Sequence, residues 1–518
     1  MRAPWLFAGL AGISCLAACT VGPDFTVPKT PAGAGFTAEK LAPETTAADM
    51  PAGGAQRFVQ DLDIPGQWWA LFRSPSLNAL ISESLQANPD LAAAQAALRE
   101  ANENVYAEQG SLFPTISGSA SATREKISGA SFGSFGGGGF SNSLSQPFNV
   151  ISASLSVSYA PDVFGGVRRQ VESAQAQAEY ERFQLEATYL TLTSNLVNSA
   201  VRLAALRDEI AATDAIIQAE SNQLEVAKAR FSLGGVSKSD VLTQQASLAQ
   251  TLATLPPLQK QLAQARNQMM TYLGRYPNGD RGESFELRSL HLPEDLPVSL
   301  PSKLVEQRPD VREAEAQLHE ASANIGIAIA NQLPQFSITG QLGSTSGSFD
   351  KLFSPGTGIW SIGGSIAQTI FDAGTLEHRK RAAVAAYDVS AAQYRSTVLL
   401  AFQDVANALR AIDADANALK ADALAERSAI DSLDLARAQY KTGAIDLLTV
   451  LTAEQTYQSA VLARVSAQAA RYSDTVALFQ ALGGGWWNRS DFAPESEGSP
   501  DRITLPPVGE IRLPGALR

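Results

Sequence analysis

Few side chains in this chain could do covalent or metal chemistry, and their spacing rules most of it out. The two cysteines, Cys15 and Cys19, both fall within the first nineteen residues, so the body carries neither a disulfide nor a thiolate metal site. His291, His319 and His378 are scattered over a linker and two helical segments. They complete no Ser/His/Asp or Cys/His arrangement, and solvated surface positions are their expected role. The glycine run at 136–139 sits between two strands rather than between a strand and a helix, so it is no phosphate cradle. The expectation is a chain with no enzymatic activity, cofactor or metal. A formal charge of −12 with 18% charged residues gives no basic face for nucleic acid.

One thiol remains. Arg2, an apolar run over 5–16 and then Leu16-Ala17-Ala18-Cys19 read as an export signal over residues 1–18 rather than a spanning helix. Its ending resembles the lipobox of bacterial lipoproteins. That resemblance implies cleavage before Cys19 and acylation of its thiol, with palmitate among the attached chains; a plain signal-peptidase cut after Ala18 is the alternative. Thr20 stands where lipoproteins retained in the inner membrane usually carry Asp, which favours the outer membrane. Beyond the signal no run of 18 apolar residues is left for a spanning helix. Residues 19–75 read as lipid anchor and extended tether, rich in Pro, Ala, Gly and Thr over 20–66.

The longest periodic stretch is 374–443, with no Pro and no internal Gly. Within it Val398, Phe402, Val405, Leu409, Ile412, Ala416 and Leu419 recur in alternating steps of four and three. That 3.5-residue period marks a supercoiled helix packing along a seam, and such a helix would be roughly 100 Å long. An earlier helix over about 167–231 carries Leu192, Leu196, Leu203, Leu206, Ile210 and Ile217 on related spacing. A returning helix over about 239–273 holds Pro256-Pro257, a potential kink. A single helical pattern also runs from near Ser76 to Gln109.

Between these helices the period changes to two. Thr115, Ser117, Ser119, Ser121 and Thr123 alternate with Ile116, Gly118, Ala120 and Ala122, and Ile151, Ala153, Leu155, Val157 and Tyr159 alternate with Ser152, Ser154, Ser156 and Ser158. The pattern returns as Phe336, Ile338 and Leu342 against Ser337, Thr339 and Gln341. It returns again as Trp360, Ile362, Ile366 and Ile370 against Ser361, Ser365 and Thr369. These are four strands, each with one apolar and one hydroxyl face, long enough to cross a bilayer. Asn88-Pro89-Asp90 recurs as Arg308-Pro309-Asp310, and Leu112-Phe113-Pro114 as Gln332-Leu333-Pro334. The chain therefore reads as a tandem duplication: first repeat 76–273, equatorial connector 274–300, second repeat 301–485 and flexible tail 486–518.

Four half-apolar strands cannot close alone, because open edges are not tolerated in lipid and spanning barrels begin at eight strands. The chain must oligomerise, giving 8, 12 or 16 strands in a dimer, trimer or tetramer. The hydroxyl faces would line a wet lumen and the apolar faces would meet outer-membrane lipid. A soluble sandwich beside a coiled coil is the competing reading.

At this point the residues resemble the outer membrane factor family, the TolC-like channels of tripartite efflux and secretion systems, and specifically its NodT-type lipoprotein branch. The matching stretches are Trp68-Trp69-Ala70-Leu71-Phe72, Tyr272-Leu273-Gly274-Arg275-Tyr276-Pro277, Leu300-Pro301-Ser302-Lys303-Leu304 with Arg308-Pro309-Asp310, Ile370-Phe371-Asp372-Ala373-Gly374, Ala438-Gln439-Tyr440-Lys441-Thr442-Gly443 and Ala481-Leu482-Gly483-Gly484-Gly485-Trp486. The resemblance implies a mixed fold: a transmembrane β-barrel of 12 strands shared by a homotrimer, continued by a periplasmic barrel of long coiled-coil α-helices. It implies two protein partners, a periplasmic adaptor and an inner-membrane pump of the resistance-nodulation-division (RND) type, and a passive conduit for small molecules or drugs. A channel for type I protein secretion and a lipid-anchored coiled-coil stalk without a pore are the alternatives.

In that family the helix-to-helix turns form the periplasmic tip, where adaptors dock and the pore closes. Here the turns are 229–242 and 438–451, which points to Phe231, Gly234, Ser237, Tyr440, Gly443 and Asp446 as docking residues. Helix capping is the plainer reading of Ser237, Asp446 and both glycines. Leu448 matches the family's apolar pore ring. Thr452 falls where the family commonly has a carboxylate; Asp240 and Asp446 are the nearby substitutes, and Asp240 is placed with Leu448 and Thr452 at the pore constriction.

Overall fold

The computed structural model describes residues 20–29, 35–37, 39, 41–126 and 147–489. Cys19, the 136–139 glycine run and the tail from 490 onward lie outside these residues. The duplication is visible in element lengths. Helix α2 (Pro89–Gly110) and helix α6 (Pro309–Ala330) have 22 residues each; α3 (Gly166–Ser232) and α7 (Thr375–Lys441) have 67; α4 (Lys238–Tyr272) and α8 (Leu447–Ala481) have 35. Two shorter helices, α1 (Pro75–Ala87) and α5 (Pro301–Gln307), precede α2 and α6.

Two compact units, each assembled from both repeats, are distinguished by their internal contacts. The first takes the described parts of Met1–Ala34, Leu85–Tyr189 and Arg308–Gln403. Its centrepiece is an antiparallel sheet of β2 (Thr115–Glu125), β3 (Phe148–Tyr159), β5 (Gln335–Ser346) and β6 (Gly358–Ala367), in the order β2-β3-β5-β6. The β3–β5 pairing joins the hairpin of one repeat to the hairpin of the other. The fourth strand stops at Ala367, so Ile370 is not a strand residue as the alternation suggested; it stands 96% exposed beyond the end.

The second unit takes Gly35–Ser84, Leu190–Gln307 and the described part of Asp404–Arg518. Its core is aromatic and aliphatic: Trp68 stacks on Phe479 with ring centroids 5.3 Å apart, and Phe72, Leu77, Leu196 and Leu203 are buried. The Tyr472 hydroxyl donates to the Leu290 carbonyl at 2.7 Å, which satisfies a buried polar group inside this core. The seam on α7 packs as its period requires. Val398, Val405, Leu409, Ile412, Ala416 and Leu419 are buried, and Phe402 is half-buried.

Several local expectations change. The pattern over 76–109 is two helices, because the Asn88 side chain caps α2 by accepting from the Asp90 and Leu91 N–H groups at 2.9 and 3.1 Å, and Pro89 takes the first helical position. The segment expected as tether is partly folded. A short strand β1 (Arg57–Gln60) pairs in parallel with β4 (Asp295–Val298), and Gln56 and Thr45 are buried. Buried Arg471 holds that segment by donating to the Gly54 carbonyl at 3.0 Å and to Gln56 Oε1 at 3.1 Å. The stretch 274–300 is no bare connector, since it supplies β4 and a tightly bound Arg275, 2.7 Å from both Glu83 and Glu283. Pro256-Pro257 does not break α4; the carbonyls it leaves free belong to Leu252 and Ala253, which are exposed to solvent. The start of the presumed tail is packed, with Trp486 Nε1 donating to the Gln307 carbonyl at 2.7 Å. His319 is not a solvated residue: it stacks on Phe25 at 4.4 Å and its Nε2 lies 3.0 Å from Glu172.

Candidate functional site: the two-faced sheet and the helix-to-helix turns

Opposed residues of an antiparallel sheet share a face, so register decides what each face presents. One row runs Ser117, Ser156, Gln341, Ser361 across all four strands; a neighbouring row on the same face runs Thr115, Ser158, Thr339, Gly363. Hydroxyls on this face bond across strands, with Ser121 to Ser152 at 2.8 Å and Ser337 to Ser365 at 2.7 Å. The opposite face carries the rows Ile116, Val157, Gly340, Ile362 and Gly118, Leu155, Leu342, Trp360. Its apolar side chains are bare: Ile116 is 72% exposed, Ile362 and Trp360 76% each. An apolar face this extensive and uncovered calls for an apolar partner phase. Among the described residues, β2 and β6 each pair on one side only, so both outer edges present unpaired backbone groups.

Both turns lie in the second unit and close in the same way. After α3, the Gly235 N–H donates to the Arg230 carbonyl at 2.8 Å and Gly234 has φ +77°; after α7, the Ala444 N–H donates to the Gln439 carbonyl at 3.0 Å and Gly443 has φ +78°. This is the Schellman closure, whose left-handed residue favours glycine. The following helices start on side-chain caps. Ser237 accepts from the Asp240 N–H at 3.1 Å while Asp240 accepts from the Ser237 N–H at 3.0 Å, a reciprocal capping box. Asp446 accepts from the Thr449 N–H at 2.9 Å, and the hydrogen bond from the Thr449 side chain holds its carboxyl below the usual carboxylate range.

The side chains named from sequence thus divide into two sets. Gly234, Gly443, Ser237, Asp240 and Asp446 are engaged in closing or starting helices. Thr452 returns its hydroxyl to the Leu448 carbonyl of its own helix at 2.9 Å. Phe231 and Leu448 point outward, 45% and 64% exposed. Tyr440 packs on the small cluster of Leu433, Ala436 and Val450 and meets the Arg230 guanidinium 5.6 Å above its ring, a cation–π contact that ties one turn to the other. Leu233, 87% exposed, is the apolar residue of the first turn that pattern reading passed over, because it lies outside any periodic seam.

Among the described residues no helix is long and apolar enough to cross a membrane, and no group of three or more His, Cys, Asp or Glu is placed to hold a metal ion. A sheet with one hydroxyl and one apolar face, in a duplicated chain of long helices, defines the class: an outer-membrane channel protein with a β-barrel and an α-helical barrel. The family model for outer membrane efflux proteins matches residues 80–275 and 300–484. The chain belongs to the outer membrane efflux protein family and is an outer-membrane efflux channel. It is 30% identical to the pyoverdine export outer membrane protein OpmQ of Pseudomonas aeruginosa over 81% of this chain and 87% of that protein. It is 28% identical to the probable efflux pump outer membrane protein TtgC of Pseudomonas putida, covering 92% and 94%. Among solved structures, the outer-membrane channel OprN superposes with a TM-score of 0.78 at 29% identity, over 90% of this chain and all of that one.

Proposed function

We propose that three copies of this chain close a 12-strand barrel in the outer membrane, extended by a periplasmic α-barrel, and that small molecules pass through it passively. The observation that carries this reading is the pair of unpaired edges on a sheet whose two faces differ in polarity. In lipid, every backbone donor and acceptor must be satisfied, so β2 of one copy pairs with β6 of the next. The rows of Ser, Thr and Gln then line a hydrated lumen that selects weakly. The energy comes from an inner-membrane pump of the RND type, reached through a periplasmic adaptor; the channel itself carries out no chemistry. The names of the relatives, which speak of export and efflux pumps, support this coupling.

Cys19, acylated after removal of 1–18, anchors each copy in lipid beside the barrel. Exposed Phe231 and Leu448, with Tyr440 and the capped turns at Gly234, Ser237, Gly443 and Asp446, form the adaptor-facing tip. Leu448, Thr452 and Asp240 narrow the pore there. The test is reconstitution of the purified protein in planar bilayers. Discrete channel conductance is expected, and the reading fails if the protein inserts but passes no current even after Leu448→Ala and Thr452→Ala widen the tip.

A further inference from the structure

Helical seams bury apolar side chains, yet in the second unit six polar ones meet where α3, α4, α7 and α8 pack together. Ser247 donates to Glu220 Oε1 at 3.1 Å, and Gln244 Nε2 donates to Gln223 Oε1 at 3.3 Å. Gln223 Nε2 in turn donates to Glu454 Oε1, which also accepts from Arg437 Nη2 at 3.0 Å. Gln244 is 0% exposed, Glu220 3% and Glu454 4%. Three oxygens in this network, Glu220 Oε2, Gln244 Oε1 and Glu454 Oε2, are buried without a hydrogen-bond partner in the protein, as is Arg437 Nε. A cavity of about 250 Å³ adjoins Glu220, Arg437 and Glu454; Tyr457 also lies in its wall, the rest of which is Ala, Ile, Leu and Val, and Gln244 stands outside it.

The charges do not balance. Arg437 answers one of two buried carboxylates, which leaves one negative charge without a counter-charge, and burial of that kind is strongly unfavourable. Burial also pushes the Glu220 carboxyl up and Glu454 adds to the shift, while the Thr251 and Ser247 hydroxyls oppose it. A proton on Glu220 would neutralise the charge and could be donated to one neighbouring oxygen, which still leaves an acceptor on another helix without a donor. A divalent ion would leave the excess positive. Hard oxygen donors, net charge −1 and room for water together describe an alkali-metal ion site.

We propose that Glu220 and Glu454, with Gln244 at the edge of the site, bind one hydrated sodium or potassium ion. The ion bridges α3 of the first hairpin and α8 of the second, so the packing of the two hairpins becomes dependent on alkali cations. The site is built within one chain and stands or falls separately from the pore reading.

The test uses the full-length detergent-solubilised protein at pH 8, with Na⁺ or K⁺ exchanged for N-methylglucamine at constant ionic strength. A saturable rise of a few degrees in the unfolding midpoint is expected with either alkali ion. The rise should vanish in Glu220→Gln and persist in the surface control Glu225→Gln, whose side chain is 70% exposed. No rise in the native chain, an equal rise in Glu220→Gln, or a rise with Mg²⁺ and Ca²⁺ alone would overturn the proposal. Should Glu220→Gln not fold, anomalous scattering from crystals of the native protein grown with Rb⁺ decides: a peak between Glu220 and Glu454 supports the site, and its absence sinks it.

Discussion

Ser156 on β3 stands opposite Gln341 on β5, and through that pair the two repeats of the chain become one sheet. The same register puts Leu155 and Leu342 together on the other face, 56% and 64% exposed. One hairpin alone would offer the bilayer a ribbon two strands wide. Splicing two of them yields a four-stranded segment whose polar and apolar faces are continuous, the unit from which a barrel can be closed by repetition.

The first prediction concerns those faces. Leu155→Arg places a cation on the lipid side and should cost about 2–4 kcal/mol if the position lies near the bilayer centre. Ser156→Arg places the same group toward the lumen and should leave assembly intact while reducing conductance. Heat-modifiable migration of the extracted protein and single-channel current separate the two variants; equal loss of folded protein in both would argue against a two-faced barrel.

A second prediction concerns the turns. An added Cβ at Gly234 or Gly443 would meet nothing within 4 Å, so the penalty of alanine there is conformational alone. Gly443→Ala should destabilise its turn by about 1–2 kcal/mol, the ordinary penalty of a left-handed residue with a side chain, and Gly443→Asn by less. Faster amide exchange over 440–446, with the exchange of the sheet unchanged, is the expected signature.

Asp415 on α7 provides a pH test outside the membrane. Burial, reinforced by the neighbouring carboxylate of Asp474, pushes Asp415 up to about 7. A carboxyl whose folded value is raised holds its proton in the native state while the unfolded chain has released it. Its contribution is therefore fully present below the ordinary Asp range and is lost as pH rises toward about 7. Asp415→Asn should flatten that part of the stability profile and raise the thermal midpoint at pH 8 by a few degrees; an unchanged profile would mean that Asp415 is ionised throughout.

Arg471 gives a fourth test. Its guanidinium is 1% exposed and grips the 52–56 backbone. Arg471→Met keeps the volume and removes the donors, leaving the buried Gln56 Oε1 without this partner at about 1–3 kcal/mol. Limited proteolysis should then cut first within 48–56, and protection of that stretch in the variant would show that the contact is dispensable.

Much of the fold was legible because the elements obey two simple periods. Alternation of Ser with Ile, Val or Leu announced the strands, and the 3-4 spacing from Val398 to Leu419 announced the seam that is buried in the structure. The break at Asn88-Pro89 was written in the chain as a cap followed by proline, but an apolar pattern on both sides concealed it. Strand β1 was not legible: it is four residues long and its partner, Arg57 against Asp295, lies far along the chain. The polar network of Glu220, Gln244 and Glu454 escaped for a related reason. Each residue looks like an ordinary solvated helix position until packing places helices from both repeats around it.

The most direct test of the shared barrel is the native mass of the detergent-extracted protein, read beside its migration with and without boiling. Three copies of the 54.7 kDa chain, less the signal segment, with a compact unboiled form that boiling converts to a slower monomer, is the predicted result. A monomer recovered without detergent would contradict it, because two unpaired edges and a bare apolar face cannot coexist with lipid in a single copy.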